Sequence, residues 1–490
     1  MGNYIVKTLG CKANTYDSQW IESELQKKGW TPSQSSVDLC IINSCTVTDE
    51  ADRRSRKIAA KLARENPGAK VVITGCAAEV APESFRPGAQ QGVGISYVVG
   101  NQNKNRLVEL VLSKMDQEKN LIPQVTSDIL NTIPALLGTV QSYTEILSKH
   151  PTEREWPAAT DSFLPFQLQG HSDKTRAFLK IQEGCNSFCT YCIIPYGRGP
   201  SRSLRPSEVL KQVADQVQKG AREIVITGTN IGDYGRDWNF NPGLGDLLEM
   251  ILEKTSIQRL RLSSLDPTET TPQILSLMKN NPRFCPHFHI SLQSPHTRIL
   301  KLMKRKYQFE HVKDCLEKIA EFSGSVGGVF VGMDLITGFP GETEEEFQWS
   351  YNTLAALPWT RLHVFPYSER AGTPATRLSH SVAPSVRAER TRKLNQLSME
   401  RLTCVYQKVL KHCQSKDLCL DSVLMEKNIE NKRQKEKRVP QWRAGYTPNY
   451  LRVMIPCSAL TQRNQLISAK PIDLMMDSQG HDISLVCQPV

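Results

Sequence analysis

The stretch that decides the fold runs from residue 180 to residue 203: Lys180-Ile-Gln-Glu-Gly-Cys-Asn-Ser-Phe-Cys-Thr-Tyr-Cys-Ile-Ile-Pro-Tyr-Gly-Arg-Gly-Pro-Ser-Arg-Ser203. Its cysteines, Cys185, Cys189 and Cys192, are separated by three and two residues. A tetrahedral zinc site takes four ligands, usually as two pairs, and no fourth Cys or His lies nearby. Three thiolates suit a [4Fe–4S] cluster with one iron left open. Zinc and buried thiols are the alternatives.

The composition is that of an ordinary globular protein. The chain has 490 residues, 39% of them hydrophobic and 23% charged, and this length is enough for two to four domains. No apolar run approaches the roughly 20 residues that span a bilayer. The N-terminus lacks the basic and apolar regions of a signal peptide, so we expect a cytoplasmic protein. Fourteen cysteines then favour metal or redox use over disulfides, and the net charge of +11 favours a polyanionic partner.

Residues 1–111 alternate short apolar runs with amphipathic stretches. This alternation predicts an N-terminal open parallel sheet covered by helices. The predicted strands are 4–9, 37–42, 70–74 and 97–99, and the predicted helices are 16–28, 51–65 and 104–114.

One cysteine follows each of the first three predicted strands: Cys11, Cys45 and Cys76. Functional groups gather outside the carboxyl ends of parallel strands, so we expect the three side chains to meet at one edge of the sheet. Helix N-termini at that edge favour the negative charge of a thiolate-ligated cluster. Cysteines are also common core residues. Topology alone therefore leaves a second cluster and core packing open.

Residues 112–174 lose periodicity and are rich in Ser, Thr, Pro and Gln, which is typical of a linker or insertion. Residues 175–402 then alternate strand and helix patterns again. Six strand–helix units favour an open (βα)6 barrel, whose site residues would follow the strands. The predicted strands are 177–181, 223–227, 259–263, 287–292, 329–336 and 361–365, and the predicted helices are 207–219, 246–254, 272–278, two that end near 322, and 344–357.

Residues 411–490 contain four short strand patterns, at 423–426, 451–455, 466–469 and 483–486, which predict a small β-barrel. Basic residues interleaved with aromatics lie in the segment 427–450. This composition suits RNA, because cations contact phosphates and aromatic rings stack on exposed bases. A solvated hairpin is the alternative interpretation. The candidate RNA contacts are Lys432, Arg433, Arg438, Trp442, Tyr446 and Tyr450.

The three-cysteine spacing, with the aromatic Tyr191 before the last cysteine, resembles the radical S-adenosylmethionine (SAM) enzymes. Apart from the long linker, the whole chain resembles their methylthiotransferase family, with a C-terminal TRAM-like RNA-binding domain. Several motifs are similar to its MtaB-type branch. They are Asn43-Ser-Cys-Thr-Val-Thr, Ala51-Asp-Arg-Arg-Ser-Arg-Lys, Cys192-Ile-Ile-Pro, Ser291-Leu-Gln-Ser, Met333-Asp-Leu-Ile-Thr-Gly-Phe-Pro-Gly-Glu-Thr, His363-Val-Phe-Pro-Tyr-Ser and Gly445-Tyr-Thr-Pro-Asn-Tyr.

The resemblance implies methylthiolation of C2 of N6-threonylcarbamoyladenosine at position 37 of tRNA. It implies two [4Fe–4S] clusters, the radical SAM cluster on Cys185, Cys189 and Cys192 and an auxiliary cluster on Cys11, Cys45 and Cys76. SAM is the second cofactor, and a sulfur donor and a flavodoxin-type or ferredoxin-type reductant are implied partners. Turn formers or strand caps remain the alternative interpretation of the candidate SAM contacts, which are Tyr191, Gly228, Ser264, Gln293 and Asp334.

Two alternatives to this function remain. Within the family, the substrate could be isopentenyladenosine in tRNA or a ribosomal-protein aspartate. Outside it, the chain could be a non-catalytic, zinc-bearing RNA-binding protein. Two features depart from the family pattern: Pro295 follows Ser294 where glycine is usual, and the linker is long.

Overall fold

A computed structural model describes residues 2–85, 94–120, 175–238, 242–322, 326–428, 442–457, 461–477 and 479–490. Most of the predicted linker lies outside these residues. The chain divides into two compact units. Unit 1 comprises Met1–Gln169, Glu183–Arg202 and Ser368–Arg377, and unit 2 comprises Gly170–Gln182, Ser203–Tyr367 and Leu378–Val490. Within the described residues, none of the helices combines the length and the apolar character required to cross a membrane.

The N-terminal sheet of unit 1 has five strands in the order β2-β1-β3-β4-β5, and its paired strands are parallel. This confirms the predicted open parallel sheet. Its strands are β1 (Asn3–Thr8), β2 (Thr31–Pro32), β3 (Leu39–Ser44), β4 (Lys70–Gly75) and β5 (Tyr97–Val99), and its helices are α1 (Lys12–Lys27), α2 (Asp49–Glu65), α3 (Cys76–Val80) and α4 (Leu107–Asn120). Among the strands and helices named here, the two-residue strand β2 and the five-residue helix α3 are absent from the sequence prediction.

The central strands form two four-stranded sheets, β7-β6-β8-β9 and β10-β11-β12-β13. The strands β9 and β10 are separated only by Ser263, and a parallel bridge joins Leu260 to Phe284. Six consecutive strand positions therefore form the predicted open (βα)6 barrel. The strands are β6 (Arg176–Glu183), β7 (Arg202–Ser203), β8 (Glu223–Gly228), β9 (Arg259–Leu262), β10 (Ser264–Leu265), β11 (His287–Gln293), β12 (Phe330–Thr337) and β13 (Arg361–Pro366).

Helices connect these strands, as βαβ units require. Thr343 caps its helix by accepting a hydrogen bond from the backbone N–H of Glu346, and three acidic residues follow in the first turn. The helices are α5 (Ile194–Arg198), α6 (Pro206–Gln218), α7 (Leu244–Lys254), α8 (Pro272–Asn280), α9 (Thr297–Leu302), α10 (Phe309–Ala320) and α11 (Glu344–Ala356). Short 3-10 turns occur at Pro82–Phe85, Asn101–Arg106, Ile231–Asp233, Pro267–Glu269 and Pro374–Arg377.

The C-terminal strands close into a barrel in the order β14-β15-β16-β18-β17, which confirms the predicted small β-barrel. Its strands are β14 (Leu420–Asn428), β15 (Trp442–Tyr446), β16 (Arg452–Pro456), β17 (Leu466–Met476) and β18 (Ile483–Pro489). One 33-residue helix, α12 (Pro384–Lys416), precedes it. Ser398 on this helix bonds the backbone of Leu362 in β13, while Leu402, Tyr406 and Val409 enter the core of the small barrel. The helix thus belongs to both parts of unit 2.

The small barrel packs against the N-terminal ends of the central strands. Arg259, the first residue of β9, donates hydrogen bonds to the carbonyl oxygens of Ser422, Tyr446 and Thr447 at 2.8–3.0 Å. Arg176, the first residue of β6, donates to the Tyr450 hydroxyl at 2.7 Å. The opposite ends of the strands, where α/β barrels carry their sites, are not part of this interface.

A buried carboxylate holds this interface together. Glu223, the first residue of β8, lies 2.6 Å from Arg259 and 2.7 Å from Arg261 and is completely buried. Burial alone would raise the pKa of Glu223, but the two guanidinium groups outweigh it and hold the pKa at about 2. The carboxylate therefore stays ionised in the core.

Replacing this carboxylate by its neutral isostere tests the interface. We expect Glu223→Gln to lower the free energy of unfolding by about 3–5 kcal/mol, because two buried cations lose their counter-charge. The wild type should lose this stabilisation as the pH falls from the ordinary glutamate range towards 2, whereas the variant should show a weaker acid dependence. Urea denaturation measures both effects. The exposed Glu253→Gln is the control, and equal losses in both variants would contradict the prediction.

Candidate metal centre and cofactor site

The loop that carries Cys185, Cys189 and Cys192 belongs to unit 1 and is closed by backbone contacts. Cys185 N–H donates to the Gly199 carbonyl at 3.0 Å, and Cys192 N–H donates to the Cys189 carbonyl at 2.9 Å. Gly184 has a φ of +76°, and a Cβ there would lie 1.9 Å from the Pro200 oxygen. Only glycine permits this close approach. The loop thus holds three thiols in consecutive turns, one buried and two half-buried.

The other cysteine group, Cys11, Cys45 and Cys76, also belongs to unit 1. Each of these residues lies at the carboxyl end of a strand. Cys11 precedes α1, Cys45 follows β3, and Cys76 begins α3. Gly10 has a φ of +90°, and a Cβ there would lie 2.7 Å from Cys45 Sγ. The turn at Gly10 and Cys11 is therefore in close contact with the turn at Cys45. These side chains lie at the sheet edge where the sequence predicted them.

Burial raises the pKa of the Cys45 thiol to about 12, and the neighbouring thiols of Cys76 and Cys11 raise it as well. The backbone N–H of Val47 and the cation of Arg198 act in the opposite direction. Three mutually interacting thiols beside a buried cation are a suitable setting for thiolate ligands, since metal binding removes the protons.

Arg198 is the residue that links the two cysteine groups. It ends α5, six residues after Cys192, and its side chain is only 3% exposed. It donates to Glu183 at 2.5 Å and to Asn14, and lies 3.4 Å from Asp17. Burial alone lowers the pKa of Arg198, but the charge of Glu183 and those of Cys76, Asp17 and Cys11 raise it well above its ordinary value.

Asn14 carries this link to the backbone beside the cysteines. Its amide donates to the carbonyl of Leu9 at 2.7 Å and to that of Ser44 at 2.9 Å. These carbonyls precede the Cys11 and Cys45 turns. Because the Asn14 oxygen accepts from Arg198, one guanidinium fixes the amide that holds both turns.

Two further polar side chains complete the network. Buried Lys104 lies 3.0 Å from Asp17, so the carboxylate has cations on two sides. Asn101 donates to the carbonyl of Gly197 at 2.6 Å and lies 3.5 Å from Cys76 Sγ. Asn101 therefore joins the segment after Cys192 to the surroundings of Cys76.

The donor chemistry of both groups fits iron–sulfur ligation. All fourteen cysteines lie in the described residues and are thiols rather than disulfides. Within the part of the chain that the structure describes, no three Cys, His, Asp or Glu side chains surround a point that would hold one ion. In a four-iron cluster each thiolate binds a different iron, so its ligands need not converge as closely. Three thiols per group match a cluster with one iron open to a second ligand.

Four of the predicted SAM contacts lie in unit 2, at or near the carboxyl ends of barrel strands. Gly228 ends β8, Ser264 begins β10 and Gln293 ends β11. Gln293 has a φ of +64°, a left-handed conformation that is uncommon outside glycine and is often found at functional sites. Asp334 lies within β12 and is 2.8 Å from His289 Nε2. The fifth candidate, Tyr191, lies in the unit 1 loop.

The predicted RNA contacts are placed differently. Lys432, Arg433 and Arg438 lie outside the described residues. Tyr446 and Tyr450 stack on each other with ring centroids 4.8 Å apart. The guanidinium of Arg176 lies 5.0 and 5.2 Å from their ring centroids, and Arg261 lies 4.8 Å from Tyr450. Both tyrosines thus pack between the small barrel and the central barrel. Trp442 is half-buried at the other end of β15.

Sequence reasoning missed Arg198, Asn14 and Lys104. Arg198 lies inside the quoted loop, and its only local signal is an arginine between Gly197 and Gly199. Asn14 lies three residues after Cys11, where a polar helix residue suggests exposure. Their roles depend on contacts between distant segments: 184 residues separate Arg198 from Asn14, and 87 separate Lys104 from Asp17.

Two family models match the chain. The Radical SAM superfamily matches residues 179–354, and the family described as Uncharacterized protein family UPF0004 matches residues 3–95. Among solved structures, the radical SAM methyltransferase TsrM of Kitasatospora setae, with cobalamin and a [4Fe–4S] cluster bound, has a TM-score of 0.54 at 16% identity, over 76% of this chain and 74% of that chain. At this identity the likeness concerns the fold.

Curated relatives match most of the chain. The threonylcarbamoyladenosine tRNA methylthiotransferase MtaB of Bacillus subtilis is 34% identical over 93% of this chain and 90% of its own length. The protein of the same name from Aquifex aeolicus is 33% identical over 82% and 89%. The tRNA-2-methylthio-N(6)-dimethylallyladenosine synthase of Carboxydothermus hydrogenoformans is 30% identical over 81% and 83%. The chain therefore belongs to the methylthiotransferase family of radical SAM enzymes.

Proposed function

We propose that this enzyme adds a methylthio group to C2 of N6-threonylcarbamoyladenosine at position 37 of tRNA. The observation that carries the substrate is the name shared by the relatives from Bacillus subtilis and Aquifex aeolicus, which are 34% and 33% identical. The dimethylallyladenosine synthase is 30% identical, and it supports isopentenyladenosine as the second candidate. Membership of an enzyme family removes the alternative of a non-catalytic zinc protein.

Cys185, Cys189 and Cys192 would hold the radical SAM cluster. When bound with SAM, this cluster supplies the one-electron chemistry that activates an unreactive carbon–hydrogen bond. The chain contributes placement: Gly184 lets the loop close on Pro200, and Gln182 fixes the turn after Gly228. The Gln182 side-chain oxygen accepts hydrogen bonds from the backbone N–H groups of Thr229 and Asn230 at 3.0 and 2.8 Å.

Cys11, Cys45 and Cys76 would hold the auxiliary cluster, with an open iron for sulfur. Arg198 supports this assignment, because it is a buried cation that interacts electrostatically with Cys76 and Cys11 and acts to lower the pKa of the Cys45 thiol. The Asn101 amide, 3.5 Å from Cys76 Sγ, adds a hydrogen-bond donor directed at a ligand sulfur. Hydrogen bonds to sulfur are among the factors that tune such clusters.

The partners follow from this chemistry. tRNA is the proposed substrate, and the basic tail with Trp442 is the candidate contact surface. Tyr446 and Tyr450 remain predicted RNA contacts, although their rings also join the two barrels of unit 2. Turnover requires an electron donor, proposed as a flavodoxin or ferredoxin, and a sulfur donor.

The substrate is tested on tRNA from cells with and without the gene. We expect mass spectrometry to find 2-methylthio-N6-threonylcarbamoyladenosine in the parent and only the unmethylthiolated nucleoside in the deletion strain. The Cys185→Ala gene should fail to restore the product, and the wild-type gene should restore it. Loss of the methylthio group from isopentenyladenosine instead would assign the second candidate.

The number of clusters is tested by iron analysis of anaerobically purified protein. Two four-iron clusters predict about eight irons per chain. Replacing Cys11, Cys45 and Cys76 by Ala should leave about four, and replacing Cys185, Cys189 and Cys192 should also leave about four. Cys404→Ala, an exposed cysteine, is the control and should leave the content unchanged. Full iron content after replacement of Cys11, Cys45 and Cys76 would refute the auxiliary cluster.

Arg198→Met tests the link between the two cysteine groups. We expect the variant to be about 3–5 kcal/mol less stable without iron, because Glu183 and Asp17 keep buried charges with less compensation. It should also retain less iron in the auxiliary cluster. Arg198→Lys should recover part of both losses, since it restores the cation without the planar group. Arg54→Met, an exposed residue of α2, is the control, and wild-type iron and stability in Arg198→Met would contradict the proposed role.

A further inference from the structure

The outward side of helix α2 in unit 1 carries charges of one sign. The helix spans Asp49–Glu65, and its residues 53–64 contain six cations and no acidic residue. Its buried residues are Ser55, Ala59 and Leu62, and the last two belong to a core cluster that includes residues of β3 and β4. The exposed cations, here termed the basic face, are Arg53, Arg54, Lys57, Lys61 and Arg64.

The basic face is continuous along the helix. Because an α-helix has 3.6 residues per turn, the five positions fall within an arc of about 100° around the axis. The rise of 1.5 Å per residue extends them over about 17 Å along it. The face is therefore a row of positive charges that points away from the sheet.

Acidic side chains neutralise little of this row. Arg53 pairs with Asp49, and Lys61 lies 3.6 Å from Glu65, but all four side chains are about half exposed or more. Exposed ion pairs of this kind are weak. The other three cations of the basic face form no ion pair with any residue that the structure describes. Most of the positive charge is thus open to an external anion.

A solvated helix face is the alternative explanation, and such faces usually mix both signs. On α10, for comparison, exposed Lys318 lies 2.7 Å from Asp314 one turn away. On α2, Arg53, Lys57 and Lys61 follow each other at intervals of four residues. Like charges at this interval destabilise a helix. The basic face therefore lowers the stability of α2, and a bound polyanion would remove this repulsion.

The position of α2 connects the basic face with the cysteine edge of the sheet. Thr48, the N-cap of the helix, lies three residues after Cys45, and Val47 between them is 49% exposed. This turn is thus accessible from outside. Arg54 and Arg64 come six and sixteen residues after Thr48, which places them about 9 and 24 Å further along the helix axis.

Resting on the proposed function, we propose that the basic face binds the phosphate backbone of the anticodon arm of tRNA, with nucleotide 37 at the Cys45 edge. A nucleic-acid strand presents a row of anions, which complements a row of cations. Contacts within about 9–24 Å of the helix start belong to the arm that carries nucleotide 37. Phosphate contacts fix the position of the RNA without reading its bases. The basic face therefore contributes affinity and placement, and it does not select the substituent on the adenine.

Two variants test the basic face, and one control matches the loss of charge. The triple variant combines Lys57→Gln, Lys61→Gln and Arg64→Gln. The control removes three exposed lysines from α1 and α10 through Lys27→Gln, Lys313→Gln and Lys318→Gln. The second variant, Lys57→Glu, separates RNA binding from helix stability, because an acidic residue between Arg53 and Lys61 converts repulsion into attraction.

The measurement is the affinity of anaerobically purified protein for tRNA at several salt concentrations. The tRNA carries N6-threonylcarbamoyladenosine or unmodified adenosine at position 37, and iron content reports correct assembly. We expect the triple variant to bind both forms about ten-fold or more weakly and to lower the slope of log affinity against log salt by about 2–3. An isolated anticodon stem–loop should show the same losses. The control should change affinity less than about two-fold.

Lys57→Glu gives a signature that damage to the helix would not give. We expect weaker binding of both tRNA forms together with a higher urea midpoint of unfolding, because the helix loses repulsion while the RNA loses a cation. A lower urea midpoint, with tRNA affinity lost in proportion, would contradict the proposed role.

The possible results separate this inference from the proposed function. If the wild type methylthiolates the threonylcarbamoyl form and the triple variant keeps the tRNA affinity and salt slope, the inference is refuted and the function stands. Unchanged tRNA affinity with slower reduction by a flavodoxin would assign the face to the reductant and also refute it. If the wild type acts on isopentenyladenosine, the proposed substrate is refuted, and the salt slope on that tRNA decides the inference. Equal losses in the control would refute a specific contact.

Discussion

The buried guanidinium of Arg198 is the constraint on which the arrangement of unit 1 depends. A buried arginine must be paired, because desolvating an unpaired charge costs several kcal/mol. Its three partners come from two segments: Glu183 lies before the Cys185 loop, and Asn14 and Asp17 lie on the helix after Cys11. Satisfying one cation thus requires two sequence-distant segments to occupy fixed positions. The separation of the two cysteine groups follows from that requirement.

The same principle governs unit 2 with the opposite sign of charge. Glu223 is a buried anion whose partners, Arg259 and Arg261, lie on the neighbouring strand, and Arg259 also bonds the backbone of the small barrel. Satisfying one carboxylate thus brings the small barrel to the N-terminal ends of the central strands. Those ends are closed by packing, which leaves the carboxyl ends to carry ligands.

The elements that were predicted correctly are those with local signals. Apolar strands between helices, with cysteines at their ends, are visible in the sequence, and the parallel sheet and the open barrel follow. Helix α12 was not predicted, because its buried face begins with Arg387 and Arg390 where periodicity calls for apolar residues. Arg390 pairs with Glu342 at 2.7 Å, a contact between residues far apart in the chain. Burial of charge cannot be recognised before its partner is known.

The candidate RNA contacts show the same limit for aromatic residues. Composition alone indicates that Tyr446 and Tyr450 lie in a basic segment, and it equally allows stacking on a base or on an arginine. The structure places the arginines of β6 and β9 on these rings.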